Sequence, residues 1–219
     1  VICFRGRFHF YEGWTTQQSV IAVRLMAALG VRVAIITNAA GGVDPSYQVG
    51  DIMILQDHIN MLGMTGVNPL MGPNNDQEGP RFPPINAYDP YLQEHFAQRY
   101  NALAPAHNNT HVLRRGCYVG LSGPNYETPS EVQFLRTIGG HAVGMSTVNE
   151  IVQASHVGLK VLGVSLITNS GIGTTAEDQG KPIPNHAEVI QETQKVEGFL
   201  TSLMSDFVDT LDLATFQTA

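Results

Sequence analysis

Residues 31–42 read "VRVAIITNAAGG", an apolar run that passes directly into small and polar residues. Unbroken apolar runs of this kind are typical of strands that are buried on both faces of a sheet. The sequence therefore predicts a buried strand over 31–37, and comparable runs predict further strands along the chain. These are "VICF" at 1–4, "DIMIL" at 51–55, "GCYVGLSG" at 116–123, "HAVGMS" at 141–146 and "VLGVSLIT" at 161–168.

Helical patterns separate the predicted strands. The first helix is expected to be capped by Thr15 or Thr16 and to stop at Gly30. A long loop rich in glycine, proline and asparagine is expected from about Gly63 to Asn86. The alternation of strands and helices predicts an α/β fold, with a mixed, largely parallel central β-sheet flanked by helices in a single domain over 1–219. Further helices are predicted at about 90–103, 130–138, 151–156 and 185–211.

Composition excludes several classes of function. The chain has 219 residues, of which 43% are hydrophobic and 14% charged, enough for one sizeable core. A net charge of -7 argues against nucleic acid or an anionic membrane as a partner, because both attract basic surfaces. The two cysteines, Cys3 and Cys117, form neither a disulfide framework nor a metal-binding motif. We therefore expect a cytoplasmic protein without a membrane span.

Polar and small residues follow the predicted strands. Ligands of parallel sheets collect at the carboxyl ends of the strands, so these residues are the first candidates for a site. We expect the strand ends to converge on one crevice. The segments concerned are "RGRFHFYEG" at 5–13, "NAAGG" at 38–42, "SGPNYET" at 122–128, "MST" at 145–147 and "TN" at 168–169.

Several of these residues suit a phosphate ion. Arg7 offers a planar fork of donors that matches two oxygens of one phosphate. His9 and Tyr11 continue the same side of an extended segment, since residues two apart share a face. The small residues of "NAAGG" allow backbone amides to approach an oxyanion, and Ser146 can add a hydroxyl at a strand-to-helix junction. Together they predict a pocket of phosphate size.

Each element also has a plainer interpretation. Arg7 and Glu12 could form a surface ion pair, His9 could be a core histidine, and "AAGG" could be a tight turn. The convergence of several such elements favours a site. Motifs for dinucleotides, nucleoside triphosphates, zinc proteases and serine hydrolases are absent from the sequence. Asp57 and His58 point to opposite faces of a strand, so we expect them to be structural.

Taken together, the motifs resemble the trimeric purine nucleoside phosphorylases of the nucleoside phosphorylase superfamily. The segments that carry the resemblance include "GRFHFYEG", "TNAAGG", "GDIMILQDHIN", "GPNYETPSE", "AVGMSTVNE" and "SLITN", in that order. The resemblance implies phosphorolysis of purine ribonucleosides and deoxyribonucleosides to the free base and sugar 1-phosphate, a reaction of purine salvage. It implies inorganic phosphate as co-substrate and neither a metal nor another cofactor.

The resemblance also implies a role for each candidate residue. Phosphate would be held by Arg7, His9, the Ala39 amide and Ser146. Ribose would contact Tyr11, Met145, His186 and Phe82 of the neighbouring subunit, while the base would lie between Tyr126 and Val143 and meet Glu127 and Asn169. The residues expected to act in catalysis are Asn169, Glu127, His9 and His186.

Glu127 and Asn169 would select 6-oxopurines. A carboxylate only accepts hydrogen bonds, which suits the N1–H and 2-amino groups of guanine, and an asparagine amide can meet N7 and O6. Adenosine is disfavoured because its unprotonated N1 would face the Glu127 carboxylate. Hypoxanthine and guanine nucleosides are therefore the expected substrates.

Phe82 suggests an assembly. It lies in "GPRFPP", far from any apolar periodicity, and an exposed phenylalanine on a rigid loop is often an interface anchor. In the family this segment reaches the neighbouring subunit's pocket. We therefore expect a cyclic homotrimer with heterologous interfaces.

Two departures leave alternatives open. The family's amino-terminal segment, with its glycine-rich phosphate loop, is expected to be missing, and 170–184 resembles a gate but has its own length and sequence. One alternative is a 5′-methylthioadenosine phosphorylase, in which an aspartate would replace Asn169 and a small apolar residue would replace His186. The other is a truncated, non-catalytic nucleoside-binding protein.

Overall fold

The computed structural model describes residues 1–85, 87–175, 178, 180 and 186–216, with the backbone alone for 186–189 and 191–192. The described residues form a sheet whose strands occur in the order β1-β4-β3-β2-β5 and close into a barrel. Parallel pairs join β1 to β5, β2 to β3 and β3 to β4, and antiparallel pairs join β1 to β4 and β2 to β5. The strands are β1 (Val33–Gly42), β2 (Ile52–Asn60), β3 (Leu113–Gly120), β4 (Ala142–Gly144) and β5 (Lys160–Ser170).

The mixed, largely parallel α/β sheet predicted from the sequence is confirmed, and its closure is an added finding. The predicted strand at "VICF" is wrong, because residues 1–4 join no ladder and Val1 and Ile2 are exposed. A β-prone segment needs a free sheet edge for pairing, and a closed barrel leaves none. The β propensity of this segment therefore has no partner strand in the described structure.

Helices cover the outside of the barrel. The predicted first helix is divided at Val20, whose φ of -105° and ψ of 8° interrupt it, and its start is capped by Thr15 as expected. Asp89 caps the helix over 90–103, which matches the predicted range. The helices are α1 (Thr16–Ser19), α2 (Ile21–Ala28), α3 (Met61–Met64), α4 (Pro90–Leu103), α5 (Pro129–Thr137), α6 (Val148–His156) and α7 (His186–Asp209).

Three apolar clusters hold the helices to the barrel, and the third joins Leu135 of α5 to Val119 of β3 and Val143 of β4. Val23 of α2 and Ile151 of α6 belong to a cluster with side chains of β1 and β5. Phe96 of α4 and Leu203 of α7 belong to a second cluster with residues of β2 and β5. Burial of these large side chains supplies the main stabilising free energy of the fold, at about 25 cal/mol per Å² of apolar surface. Within the described residues, every helix is too short or too polar to cross a membrane.

Strand pairing places residues of β1, β4 and β5 next to one another. Gly41 of β1 pairs with Asn169 of β5 on one side and with Val143 of β4 on the other. A side chain at Gly41 would meet the Asn169 amide nitrogen at 3.0 Å and Val143 at 3.4 Å. The glycine in "NAAGG" therefore allows the side chains of two neighbouring strands to approach each other across β1.

Candidate active site

A cavity of about 270 Å³ opens at these strand ends. It brings together every predicted site residue except Phe82 and His186, which confirms the expected convergence on one crevice. A larger cavity of about 510 Å³ lies between β1, β5 and α7, but the described residues of its lining include no charged side chain. The smaller cavity is lined by Arg7, His9, Tyr11, Asn38, Ala39, Ala40, Gly41, Tyr126, Glu127, Val143, Gly144, Met145, Ser146, Thr168 and Asn169.

One corner of the cavity is organised around Arg7. Its Nη1 donates to Ser146 Oγ at 2.8 Å and to Thr147 Oγ1 at 3.3 Å, while Nη2 donates to the Thr37 carbonyl. Its Nε lies 3.5 Å from Oε2 of Glu150. The guanidinium is thus fixed by β1 and by the start of α6 before any anion binds, so little side-chain freedom remains to be lost on binding.

Glu150 is a functional residue that the sequence reasoning missed. It lies in the first turn of α6, four residues after Ser146, and its carboxylate is buried beside Arg7. Burial raises the pKa of Glu150, while the neighbouring Arg7 lowers it. Among the described atoms, its Oε2 has no hydrogen-bond partner. The carboxylate therefore orients the guanidinium mainly through charge, and the available signal was its position in the first turn of the helix that follows Ser146.

Thr147 adopts a strained conformation beside the same corner. Its φ of 73° and ψ of -52°, with the Val148 N–H donating to the Ser146 carbonyl at 2.7 Å, define a tight three-residue γ-turn. A positive φ is costly for a β-branched residue. The Thr147 hydroxyl meets Arg7, Asn38 Nδ2 at 3.0 Å and Ser146 Oγ at 3.0 Å. These contacts hold the strained turn in place.

His9 is paired with Glu12. The ring Nδ1 lies 3.2 Å from Oε1 of Glu12, and the His9 backbone N–H donates to Oε2 at 3.2 Å. These hydrogen bonds lower the pKa of Glu12. The possible Arg7–Glu12 ion pair is therefore replaced by two separate pairs, Arg7 with Glu150 and His9 with Glu12. With Nδ1 facing a carboxylate, the other ring nitrogen of His9 is the one available to a ligand.

Tyr11 and Met145 lie in the middle of the cavity. The Tyr11 ring stacks on His9 with centroids 4.8 Å apart, and burial raises the pKa of Tyr11. Gly123 brings the loop after β3 against both residues, since a side chain there would come within 2.3 Å of the Met145 sulfur and 3.2 Å of Tyr11. This loop continues into Tyr126 and Glu127, so its close approach also sets that part of the cavity.

Glu127 and Asn169 line the same cavity. Burial raises the pKa of Glu127, and the Glu131 charge raises it further. The Thr168 hydroxyl donates to Asn169 Oδ1 at 3.2 Å, which favours the amide orientation that leaves Nδ2 free to donate. Tyr126 is partly exposed and Val143 is buried, so the two offer an aromatic and an aliphatic wall. Thr168 belongs to the "TN" segment expected at the crevice, and its hydrogen bond to Asn169 is an added finding.

Some predicted residues lie elsewhere. Phe82 is 87% exposed, with the Arg81 guanidinium 5.9 Å from its ring centroid, and it does not line the cavity. The side chain of His186 lies outside the described residues, as do residues 176, 177, 179 and 181–185 of the expected gate. His58 Nδ1 lies 2.7 Å from the Tyr88 hydroxyl and outside the cavity lining, which supports its structural role. The described residues contain no cluster of metal-binding side chains.

Comparison with known proteins identifies the family. The sequence model described as the Phosphorylase superfamily matches residues 1–209, so the chain belongs to that superfamily. Within it, the chain is similar to the purine nucleoside phosphorylases, which confirms the resemblance seen in the motifs. Purine nucleoside phosphorylase 1 of Bacillus subtilis is 47% identical over 205 residues, which are 91% of this chain and 69% of the relative. The Bos taurus purine nucleoside phosphorylase is 44% identical over 209 residues, 93% of this chain and 70% of the relative.

Solved structures agree with this relationship. The Schistosoma mansoni purine nucleoside phosphorylase in complex with inosine superposes with a TM-score of 0.87 at 37% identity, covering 95% of this chain and 71% of the other. The Schistosoma enzyme in complex with guanosine gives the same TM-score and identity and covers 73% of the other chain. The barrel and its helices are therefore those of a purine nucleoside phosphorylase.

Proposed function

We propose that this chain catalyses the phosphorolysis of inosine, guanosine and their deoxy forms to the free purine and (deoxy)ribose 1-phosphate. The observation that carries the proposal is that one cavity is lined both by the hydrogen-bonded Arg7–Ser146 corner and by Glu127 with Asn169. The first suits an anion and the second suits a 6-oxopurine. Schistosoma relatives in complex with inosine, guanosine and ribose-1-phosphate support this assignment.

The phosphate end supplies the nucleophile. Cleavage of a glycosidic bond builds positive charge on the sugar, so an anion held against the anomeric carbon both attacks and stabilises that charge. Arg7, the Ser146 hydroxyl and the Ala39 amide would hold the phosphate, with His9 as a further donor. Positioning turns a bimolecular encounter into an intramolecular attack. Inorganic phosphate is the only co-substrate that this scheme requires.

The base end accepts the negative charge that moves onto the purine. Asn169 Nδ2 would donate to O6, and Oδ1, with one lone pair directed to the Thr168 hydroxyl, would accept from protonated N7. The Asn169 contacts strengthen as charge develops, which lowers the barrier. Glu127, as a carboxylate, would accept from N1–H. Tyr126 and Val143 would enclose the base, and Tyr11, Met145 and His186 would contact the ribose.

Phosphate-dependent release of hypoxanthine from inosine tests the proposal. We expect turnover that saturates with phosphate and stops without it, and much slower turnover of adenosine. A Schistosoma relative was solved in complex with adenosine, so adenosine is expected to bind this chain as well, but more weakly than inosine. Base binding without turnover would instead identify a nucleoside-binding protein. Efficient cleavage of 5′-methylthioadenosine would identify the related phosphorylase.

We also propose that the functional unit is a cyclic homotrimer in the cytoplasm. Phe82 is almost fully exposed on a loop that also exposes Met71 and Ile85, which supports an interface on this side of the chain. Phe82 is not among the residues that line its own cavity, which leaves it available to complete the ribose site of the next subunit. Both cysteines are free thiols, which is compatible with a reducing compartment.

Mixing two inactive variants tests the shared site. When a Phe82→Ala chain and an Asn169→Ala chain are co-expressed with different tags, we expect hybrid trimers to regain activity. In a cyclic arrangement, an intact Asn169 in one subunit meets an intact Phe82 from the next. Activity of the doubly purified hybrids is compared with that of each variant alone, and sedimentation gives the assembly. A monomer, or hybrids without recovered activity, would contradict the proposal.

A further inference from the structure

Arg136 connects several segments of the protein through one guanidinium. It lies in the last turn of α5, with a side chain that is 11% exposed. Its Nε donates to the Val43 carbonyl at 2.6 Å, and Nη2 donates to the Gly171 carbonyl at 3.3 Å. Nη1 and Nη2 donate to the two carboxylate oxygens of Asp178 at 2.6 and 3.0 Å. All three nitrogens of the fork are therefore engaged.

Two of these partners, Val43 and Gly171, directly follow strands that line the cavity. Val43 directly follows β1, which contributes Gly41 to the cavity lining. Gly171 lies two residues after Asn169, and α5 itself begins two residues after Glu127. One side chain thus ties together the strand end of Asn169 and the helix that follows Glu127. Arg136 itself does not line the cavity.

The surroundings of the ion pair make this connection rigid. The Asp178 side chain is 1% exposed and also accepts from the Thr175 hydroxyl at 2.8 Å. Gly173 allows the backbone to pass close to the Arg136–Asp178 ion pair, because a side chain at this position would come within 2.3 Å of Arg136 Nη1. A bidentate pair shielded from water holds its geometry much better than an exposed one, because neither partner can exchange to solvent.

We propose that Arg136 is a positioning residue for base selection, setting the separation between the Glu127 carboxylate and the Asn169 amide. The inference rests on the proposed function of these two residues. To discriminate between 6-oxo and 6-amino purines, the Glu127 carboxylate and the Asn169 amide must both be at hydrogen-bonding distance from the same rigid purine ring. Small displacements of either group therefore weaken the recognition strongly. The Arg7 corner is held by other contacts, so phosphate binding is independent of Arg136.

Arg136→Lys and Asp178→Asn test the proposal. Lysine keeps the charge and loses the fork, and asparagine keeps the shape and loses the charge. We expect the ratio of kcat/KM for inosine to that for adenosine to fall about tenfold in each, with the KM for phosphate unchanged. A merely structural role would lower the amount of active protein and leave that ratio intact. If the lysine variant fails to fold, the asparagine variant decides the question.

Arg99→Lys is a matched control. Arg99 forms a similar two-pronged pair with Asp206 between α4 and α7, away from the cavity lining, and its replacement is expected to leave the inosine-to-adenosine ratio unchanged. An unchanged ratio in both Arg136→Lys and Asp178→Asn, or an equal rise in the phosphate KM, would overturn the inference.

Calorimetry separates this inference from the proposed function. The affinities of the unsubstituted chain and both variants for hypoxanthine and adenine are measured without any turnover. If the unsubstituted chain shows no phosphorolysis, the proposed function fails, and the ratio of the two base affinities still decides the role of Arg136. A ratio of hypoxanthine affinity to adenine affinity that is tenfold smaller in the variants supports the positioning role of Arg136. An unchanged ratio, or binding of neither base, rejects it.

Discussion

Asn169→Asp is expected to lower kcat/KM for inosine by about 100-fold and to raise that for adenosine, so that the preference for 6-oxopurines is lost. The reason is that Nδ2, which the Thr168 contact leaves free to donate, becomes a second acceptor oxygen that repels O6 and welcomes a 6-amino group. Steady-state rates with both nucleosides at saturating phosphate give the comparison.

A control for this substitution is Asn101→Ala on the exposed face of α4, which is expected to change neither rate. Thermal unfolding of both variants shows whether the fold is intact. Equal turnover of inosine and adenosine by the unsubstituted protein would contradict the assignment of base selection to Asn169 and Glu127. An Asn169→Asp variant with unchanged selectivity would contradict it as well.

Arg7→Lys is expected to raise the KM for phosphate about tenfold or more, and Arg7→Ala about 100-fold. Lysine cannot reproduce the fork that meets Ser146, Thr147 and the Thr37 carbonyl at once. Either change also leaves the buried Glu150 carboxylate without its guanidinium partner, which weakens the anion site further. Initial rates at varied phosphate and fixed inosine measure the effect.

Arg24→Lys serves as the comparison for Arg7, since Arg24 also makes a two-pronged pair, with Glu78, outside the cavity lining. We expect its phosphate KM to equal that of the unsubstituted protein. An Arg7→Lys variant with unchanged phosphate dependence would show that Arg7 has only a structural role.

The sequence allowed most of the sheet and the site to be predicted, for a physical reason. Buried strands are continuous apolar runs, and the residues after them must lie at strand ends, so Ser146 and Asn169 could be assigned to one crevice. Arg7 lines the same crevice, although the strand predicted before it is absent from the described structure. Closure of the barrel could not be predicted, because apolar runs specify burial and leave the order of the strands open. The strand predicted at "VICF" is wrong for the same reason, because an apolar run does not show whether a neighbouring strand is available for pairing.

The residues that support the site were harder to find. Glu150 and Arg136 act through partners that are distant in sequence, and an isolated charged residue in a helix is ordinarily exposed to solvent. The γ-turn at Thr147 contradicts local preference, since a β-branched residue favours negative φ. Such positions depend on tertiary contacts that no short segment encodes.

The strained turn at Thr147 sets a limit on how far this protein can be made resistant to heat without loss of function. Left-handed backbone at a threonine costs on the order of 1–3 kcal/mol, and glycine would adopt the same φ of 73° without that strain. Thr147 is nearly fully buried, however, and its hydroxyl contacts Arg7, Asn38 and Ser146, so Thr147→Gly exchanges the strain for lost contacts. Relief of the strain therefore weakens the Arg7 corner, and the glycine variant should need more phosphate to reach half-maximal rate.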